Sequence, residues 1–306
     1  MTALPPGWSR RDPVVICLGL SAYDHIWTLP GLPAGAGKTR ATGFVSTGGG
    51  IAATASVAVA RLGGLARFWG RGGEDSAGHA MLRELAIEGV DCSQFRLFKG
   101  AKSSVSGVLV DPVGERTIVN FRGDGLPADP SWLPTHTVAE AGAVLADPRW
   151  PEGAAHAFAA ARAAGVTTVL DADVAEADVF DTLLPLTDHA IFSDQALAAY
   201  AGSAGLDRIA AMGCAVAAVT RGGDGMHWIE DGVAHHVPAF LVEVADTTGA
   251  GDVFHGAWAF AIAAGAPTRD AAGFAAAAAA LKCTRPTGRA GIPSLSETLN
   301  LWRRDT

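Results

Sequence analysis

The chain of 306 residues is 49% hydrophobic and 18% charged, enough apolar side chain for a large core and too much for a disordered polymer. Its formal net charge is −8 and no run of Lys or Arg exceeds two residues, which excludes nucleic acid or an anionic membrane surface as the main partner. The four cysteines, Cys17, Cys92, Cys214 and Cys283, form no CxxC pair, and Cys17 and Cys214 lie in apolar runs as small buried thiols, so a reducing cytoplasm is the expected compartment.

The first apolar run, VVICLGL (14–20), reads as a strand and is too short for the core and cleavage site of a signal peptide. An Ala-rich helix over 50–62 follows, then the strand ARFWG (66–70) and a helix over 78–88. Further along come AVLAD (143–147), a helix over 154–164, TTVLDAD (167–173), HAIFSD (189–194) and AVAAVT (215–220). Short, continuously apolar strands separated by helices indicate a parallel sheet covered on both faces. The alanine tract at 275–280 sits in an apolar stretch shorter than the ~18 residues of a membrane span, and reads as a buried helix. Residues 24–47 and 101–122 break this rhythm with alternating patterns such as SSVSGVLVD and ERTIVNF around the turn Asp111-Pro112-Val113-Gly114. They read as antiparallel strands with one solvated face, a small β-sheet lid on an α/β core. The whole chain, 1–306, is then one domain with a lid and no internal repeat.

Two stretches invite a nucleotide reading. GAGKT at 35–39 lacks the glycine that a P-loop places five residues before its Gly-Lys pair; that position is Leu32, and no strand-to-helix context surrounds it. Asp246-Thr247-Thr248-Gly249-Ala250-Gly251-Asp252 is a stronger signal. Small residues let backbone amides converge ahead of an apolar helical run, and a helix N-terminus with free amides binds anions. A carboxylate there repels phosphate, so Asp252 makes sense as a base that takes a hydroxyl proton while the amides hold the charge on a transferred phosphoryl. A plain N-cap after a glycine turn is the competing account. The nine histidines show no metal-ligand spacing, and His235-His236 reads as a loop pair.

DTTGAGD resembles the second signature of the ribokinase/PfkB family of sugar kinases, and the likeness extends along nearly the whole chain. Gly48-Gly49-Gly50-Ile51-Ala52-Ala53-Thr54 with Ala60-Arg61-Leu62-Gly63 resembles the first signature. Gly70–Gly78 is similar to the family's glycine-rich stretch, and Val219-Thr220-Arg221-Gly222-Gly223-Asp224-Gly225 resembles its nucleotide-side loop. The resemblance implies an α/β ribokinase-like three-layer core with a mostly parallel central sheet plus a small β-sheet lid. It implies Asp252 as catalytic base, with Gly249, Ala250 and Gly251 as the anion hole. Asp24, Gly49, Gly50 and Thr54 would lie on the sugar, and Ser193, Thr220, Gly222 and Gly225 near ATP. Mg²⁺ would travel with the nucleotide, a monovalent cation such as K⁺ would sit by Asp246 and Thr248, and the lids would pair the chain into a homodimer. The chain departs from the family in two places. Thr54 stands where Asn is usual, and Ser193-Asp194-Gln195-Ala196 stands in place of Asn-x-x-Glu.

Lys38 lies in the lid, where many family members have Gly-Glu, and Arg149 lies just past a core strand's C-terminal end, where open α/β sheets bind ligands. With Asn120 from the second lid segment they suit a substrate carrying its own anion, although either charge alone is equally a solvated or ion-paired surface residue. GGGIAATASVAVARLG, LADPRW, DTTGAGDVFHGA and ALKCTRPTGRAGIP together resemble the 6-deoxy-6-sulfofructose kinases of bacterial sulfoquinovose degradation. That likeness implies ATP-dependent phosphorylation of the C1 hydroxyl, with Lys38, Asn120, Arg149 and the neighbouring Arg122 on the sulfonate. Fructose 6-phosphate, tagatose 6-phosphate and a neutral sugar remain alternative substrates, and a non-catalytic sugar- or nucleotide-binding protein is the alternative class. A Rossmann dehydrogenase fails because Gly70-x-Gly72 lacks its third glycine.

Overall fold

The structure is a computed structural model and describes residues 4–9, 12–286 and 288–304. In chain order, β1 (Val14–Gly19) leads into a first excursion from the core, β2 (Ala22–Thr28) and β3 (Gly43–Gly49). Next come α1 (Ile51–Arg61), β4 (Leu65–Gly73), α2 (Ser76–Ile87) and β5 (Asp91–Phe98), followed by a second excursion, β6 (Ser104–Val110) and β7 (Arg116–Phe121). The central part runs through β8 (Ala143–Ala146), α3 (Pro151–Ala163), β9 (Thr167–Ala172), α4 (Ala177–Leu183), β10 (His189–Ser193), α5 (Asp194–Ala201) and α6 (Gly205–Ala211). The chain closes with β11 (Val216–Thr220), β12 (Met226–Glu230), β13 (Val233–Val237), α7 (Ala250–Ala263), α8 (Thr268–Cys283) and α9 (Leu295–Trp302).

The large sheet has the order β13-β12-β11-β10-β9-β8-β1-β4-β5, and it is parallel from β11 through β5. Alternate residues of β1 serve opposite layers, because successive strand side chains point to opposite faces. Val15 and Cys17 join the core under α1, α7 and α8, whereas Ile16 and Leu18 join the one under α3, α4, α5 and α6. The expected alanine helix is α8, whose Ala271–Ala278 stretch is buried throughout, and no helix among the described residues is long and apolar enough to cross a membrane. Small residues also let α7 approach α1 closely. A Cβ on Gly256 would stand 2.5 Å from the Ala55 carbonyl oxygen, so the two helices meet backbone to backbone and their N-termini lie side by side.

The two excursions form the second sheet, with order β3-β2-β6-β7. Its outer pairs are antiparallel as expected, but its central pair, β2 with β6, is parallel. The crossover through α1, β4, α2 and β5 returns the chain in the same direction, and local alternation carries no information about that. Asp75 fastens this sheet to the core: its carboxylate accepts from Gly78 N at 2.8 Å while capping α2, and from Ser103 N and Oγ at 2.9 and 2.7 Å just before β6. The GAGKT run lies in the irregular segment between β2 and β3, far from any strand-to-helix turn. A second correction concerns His235-His236, which belong to strand β13 rather than a loop. His235 stacks on Trp228 with ring centroids 5.0 Å apart, and His236 on His227 at 4.3 Å.

Candidate active site

The DTTGAGD turn ends at the N-terminus of α7. Gly249, at φ 72°, is the left-handed residue that turns the chain into the helix, a conformation disfavoured for any side chain with a Cβ. Ala250 N donates to Thr247 O at 3.1 Å, so this amide closes the turn instead of facing a ligand. The amides of Gly251 and Asp252 donate to no acceptor among the described residues, and nothing lies within 4 Å of a Cβ placed on Gly251. Free amides at the positive end of a fourteen-residue helix make an anion cradle. Asp252 stands in its first turn, half-buried, and burial followed by the charge of Asp171 pushes its carboxyl well above the usual carboxylate range. His255 and Arg289 oppose that rise. A carboxylate tuned upward and set against an anion cradle is suited to accept a proton from a hydroxyl near neutral pH.

Beneath it lies a buried pair that the sequence did not announce. His255, one helical turn after Asp252, faces acceptors on both sides of its ring. Nδ1 is 2.7 Å from Gly251 O and 3.0 Å from Asp171 Oδ2, while Nε2 is 3.2 Å from Ile191 O. A carbonyl acceptor at each nitrogen, with Asp171 Oδ2 as an ion-pair contact beside Nδ1 and no donor, requires a proton on each. Burial alone would discharge the ring, but the charge and hydrogen bond of Asp171, with the two carbonyls, raise its pKa to about 9.

The residues expected to lie on the sugar gather where β2, β3 and α1 meet. Gly49 packs against Asp24 so tightly that a Cβ would fall 2.2 Å from Oδ2, and Gly50, at φ 94°, has no room for one beside Leu20 O at 2.5 Å. Burial raises the Asp24 carboxyl, while the Ser106 hydroxyl and the Arg289 charge pull it back. Asp24 stands opposite Ser106, and Ser106 opposite Asn120, so the three lie in one row on one face of the small sheet. Asn120 Nδ2 donates to Ser106 Oγ at 3.1 Å. Thr54, in the first turn of α1, lies beside Gly249, its methyl 3.5 Å from where a Cβ would be. Sequence reasoning missed its partner, Arg289. This buried guanidinium donates Nε to Thr54 Oγ1 at 3.2 Å and Nη2 to Gly49 O at 2.5 Å, and Nη1 has no partner among the described residues. Burial lowers its pKa to about 10, so it stays charged at neutral pH, within reach of Asp24 and Asp252. The signal was available, since Arg289 lies inside the ALKCTRPTGRAGIP stretch.

Arg149 follows β8, and its backbone amide donates to Asp147 Oδ1 at 2.8 Å. Asp147, fully buried, also accepts from Leu20 N and Ala52 N and so fixes the start of both α1 and the small sheet. The Arg149 guanidinium is engaged: Nη1 donates to Val174 O and Nη2 to Asp173 Oδ2, each at 2.7 Å. Asp173 is in turn close enough to push the Asp252 carboxyl up. Lys38 is exposed in the segment between β2 and β3 and makes no hydrogen bond or ion pair among the described residues. The structure thus brings together Asp24, Gly49, Gly50, Thr54, Asn120 and Asp252, reaches Arg149 through Asp173, and leaves Lys38 on the surface.

On the other side of α7 a cleft of about 310 Å³ is lined by Thr220, Gly222 and Gly225 at one end and by Thr247, Ala250 and Gly251 at the other. Between them lie Val242, Val244, Phe254, Ala276, Ala279 and Ala280, an apolar slot for a planar ring. Ser193 lies outside this lining and instead caps α5, accepting from Ala196 N at 3.2 Å. Asp194 accepts from Arg221 Nε at 2.9 Å. Among the described residues no group of three or more His, Cys, Asp or Glu side chains could hold a metal ion.

An apolar cleft, a helix end with free amides and a carboxylate in that helix's first turn suit a phosphotransferase acting on a hydroxyl group. The family model for the pfkB family carbohydrate kinases matches residues 13–295, and the chain belongs to that family. Among curated relatives it is 32% identical over 247 residues to a fructokinase of Klebsiella pneumoniae, covering 73% of this chain and 78% of that one. It is 30% identical over 250 residues to an ATP-dependent ribose-1-phosphate kinase of Halopiger xanaduensis, covering 78% and 81%. Among solved structures, one from Agrobacterium tumefaciens described as a candidate ribokinase superposes with a TM-score of 0.91 at 35% identity, covering 96% of this chain and 98% of that one. Arabidopsis thaliana ribokinase complexed with ribose and ATP gives 0.85 at 25% identity, with 95% and 99% covered. The fold is therefore ribokinase-like, and the protein is a sugar kinase.

Proposed function

We propose that the enzyme transfers the γ-phosphoryl group of ATP to the C1 hydroxyl of an anionic ketose, with 6-deoxy-6-sulfofructose as the best-fitting substrate. ATP lies in the cleft with its adenine against Phe254 and the alanines of α8, and its phosphates reach the α7 N-terminus. Asp252 takes the hydroxyl proton, and the amides of Gly251 and Asp252 hold the charge that develops on the transferred group. Asp24 and the Arg289–Thr54 pair orient the sugar. Mg²⁺ would arrive with the nucleotide and offset phosphate charge; the donor the chain offers, the solvent-exposed Asp194 shared with Arg221, fits an ion carried in by the nucleotide rather than one held in a protein cage. The small sheet acts as the lid, and its exposed Phe44, Val45, Ile118 and Val119 suit burial against a second copy of the chain.

The observation that supports an anionic substrate is Arg149 just past the C-terminal end of β8, paired with Asp173, whose charge also bears on the Asp252 carboxyl. The competing reading, a neutral ketose or pentose, draws on the ion pair that already engages Arg149 and on the exposed position of Lys38. ADP release measured with 6-deoxy-6-sulfofructose, fructose 6-phosphate, fructose and adenosine separates the two. Highest kcat/KM on the sulfonated sugar is expected, and a preference for fructose overturns the anionic reading.

A further inference from the structure

The resemblance implies a monovalent cation beside Asp246 and Thr248, and the residues present do not fit one. Lys282, in the last turn of α8, is only 1% exposed, and it is the one charge in an otherwise apolar run. Its ammonium lies 3.3 Å from Asp246 O, 3.4 Å from Asp246 Oδ2 and 3.4 Å from Arg285 O. The other carboxylate oxygen of Asp246 is also taken. Oδ1 accepts from Arg116 Nη2 at 2.5 Å, Thr248 N at 2.9 Å and Thr248 Oγ1 at 2.7 Å. The same turn is stitched to the end of α8 by Ala245 N and Asp246 N, which donate to Cys283 O at 2.8 and 3.0 Å. Both carboxylate oxygens therefore face a cation already, and a free ion seeking these oxygens meets two like charges.

We infer that Lys282 is a tethered monovalent cation. Its ammonium neutralises Asp246 and holds the 246–248 turn against α8, which fixes Gly249 and the free amides behind it, so this kinase works without K⁺ or Na⁺. Three oxygens from two chain segments around one buried positive charge are what a bound alkali ion would gather, and here the cation is covalently attached. Lys282 acts through the turn and touches neither sugar nor nucleotide, so it is a positioning residue.

The test compares wild type with Lys282→Ala and Lys282→Arg in K⁺-free buffer, with ionic strength held by tetramethylammonium, and then along a K⁺ titration. Wild-type turnover and melting temperature are expected to stay flat. Lys282→Ala should lose roughly tenfold or more in kcat without K⁺, the scale of a charge-assisted contact, and should recover turnover and gain thermal stability as K⁺ fills the vacated oxygens. Lys282→Arg should keep more activity than Ala and remain insensitive to K⁺. Stimulation of the wild type by K⁺ overturns the inference, as does a folded Lys282→Ala that is fully active without K⁺ or stays inactive at every K⁺ concentration. If that variant does not fold, the wild-type titration decides. The melting-temperature arm needs no sugar, so its outcome is independent of which substrate the enzyme takes.

Discussion

His255 and Asp171 form a buried ion pair, Nδ1 to Oδ2 at 3.0 Å, directly under the turn that carries the Asp252 carboxyl. The ring's pKa stands at about 9, above its ordinary value, so the folded state binds the proton more tightly than the unfolded chain does. That contribution is complete below the ordinary histidine value of about 6.5 and is lost as pH rises through about 9, at most on the order of 3 kcal/mol. Asp252, raised by burial, also favours the protonated folded state, whereas Arg289, lowered by burial to about 10, begins to lose its charge only at the top of the pH range tested. Denaturant melts between pH 6 and 10 should show stability falling, and His255→Asn should flatten the curve. An unchanged slope in that variant assigns the dependence elsewhere.

Asp252→Asn should leave ATP affinity nearly intact and lower kcat by roughly 10²–10⁴, the range a positioned base supplies. Turnover above about a tenth of wild type removes Asp252 from that role. Isothermal titration with a non-hydrolysable ATP analogue separates this from a collapse of the helix end.

Arg149→Ala and Lys38→Ala should each cost roughly 10- to 150-fold in kcat/KM on the sulfonated sugar, one charge-assisted contact apiece. Fructose, with no anion at C6, should be little affected, and ATP affinity should hold. Because Arg149 also neutralises Asp173, Arg149→Ala is best read beside Asp173→Asn. A tenfold loss of ATP affinity in Lys38→Ala, or equal losses on both sugars, would falsify the sulfonate assignment.

Sugar binding should close the sheet built from 24–47 and 101–122 over the core, because water must leave the transfer site. Hydrogen exchange with and without sugar reads this out. Added protection is expected in β2, β3, β6 and β7, and equal protection in the two states rejects lid closure.

Most of the core was legible because its strands are buried on both faces and read as unbroken apolar runs. β5 was not: it is the edge strand, and DCSQFRLF alternates polar and apolar residues as a one-sided strand does. The β12–β13 hairpin was overlooked although Asp231-Gly232, both at positive φ, is a standard two-residue turn signal. In the candidate site, the Asp252 turn and its glycines were legible because a short contiguous motif forms them. Arg289, Asp171 and Lys282 did not, since each acquires its role only when remote segments meet: Arg289 with Gly49, Asp171 with His255, and Lys282 with Asp246. A lone lysine at the end of an alanine helix was the visible clue to the last of these.

The parallel pairing of β2 with β6 also constrains the order of assembly. Four core elements, α1, β4, α2 and β5, lie between the two strands, so no hairpin can nucleate the pair. Bringing Asp24 opposite Ser106 means closing a long loop before any contact rewards it, a slow step unless the intervening elements are already folded. The small sheet is therefore expected to form after the β1–β4 layer. During synthesis the nascent chain would hold β2 and β3 as an unpartnered hairpin until β6 emerged. Pulse-labelled refolding should find amides of β1 and β4 protected before those of β6. Simultaneous protection would mean that the second sheet forms along with the first.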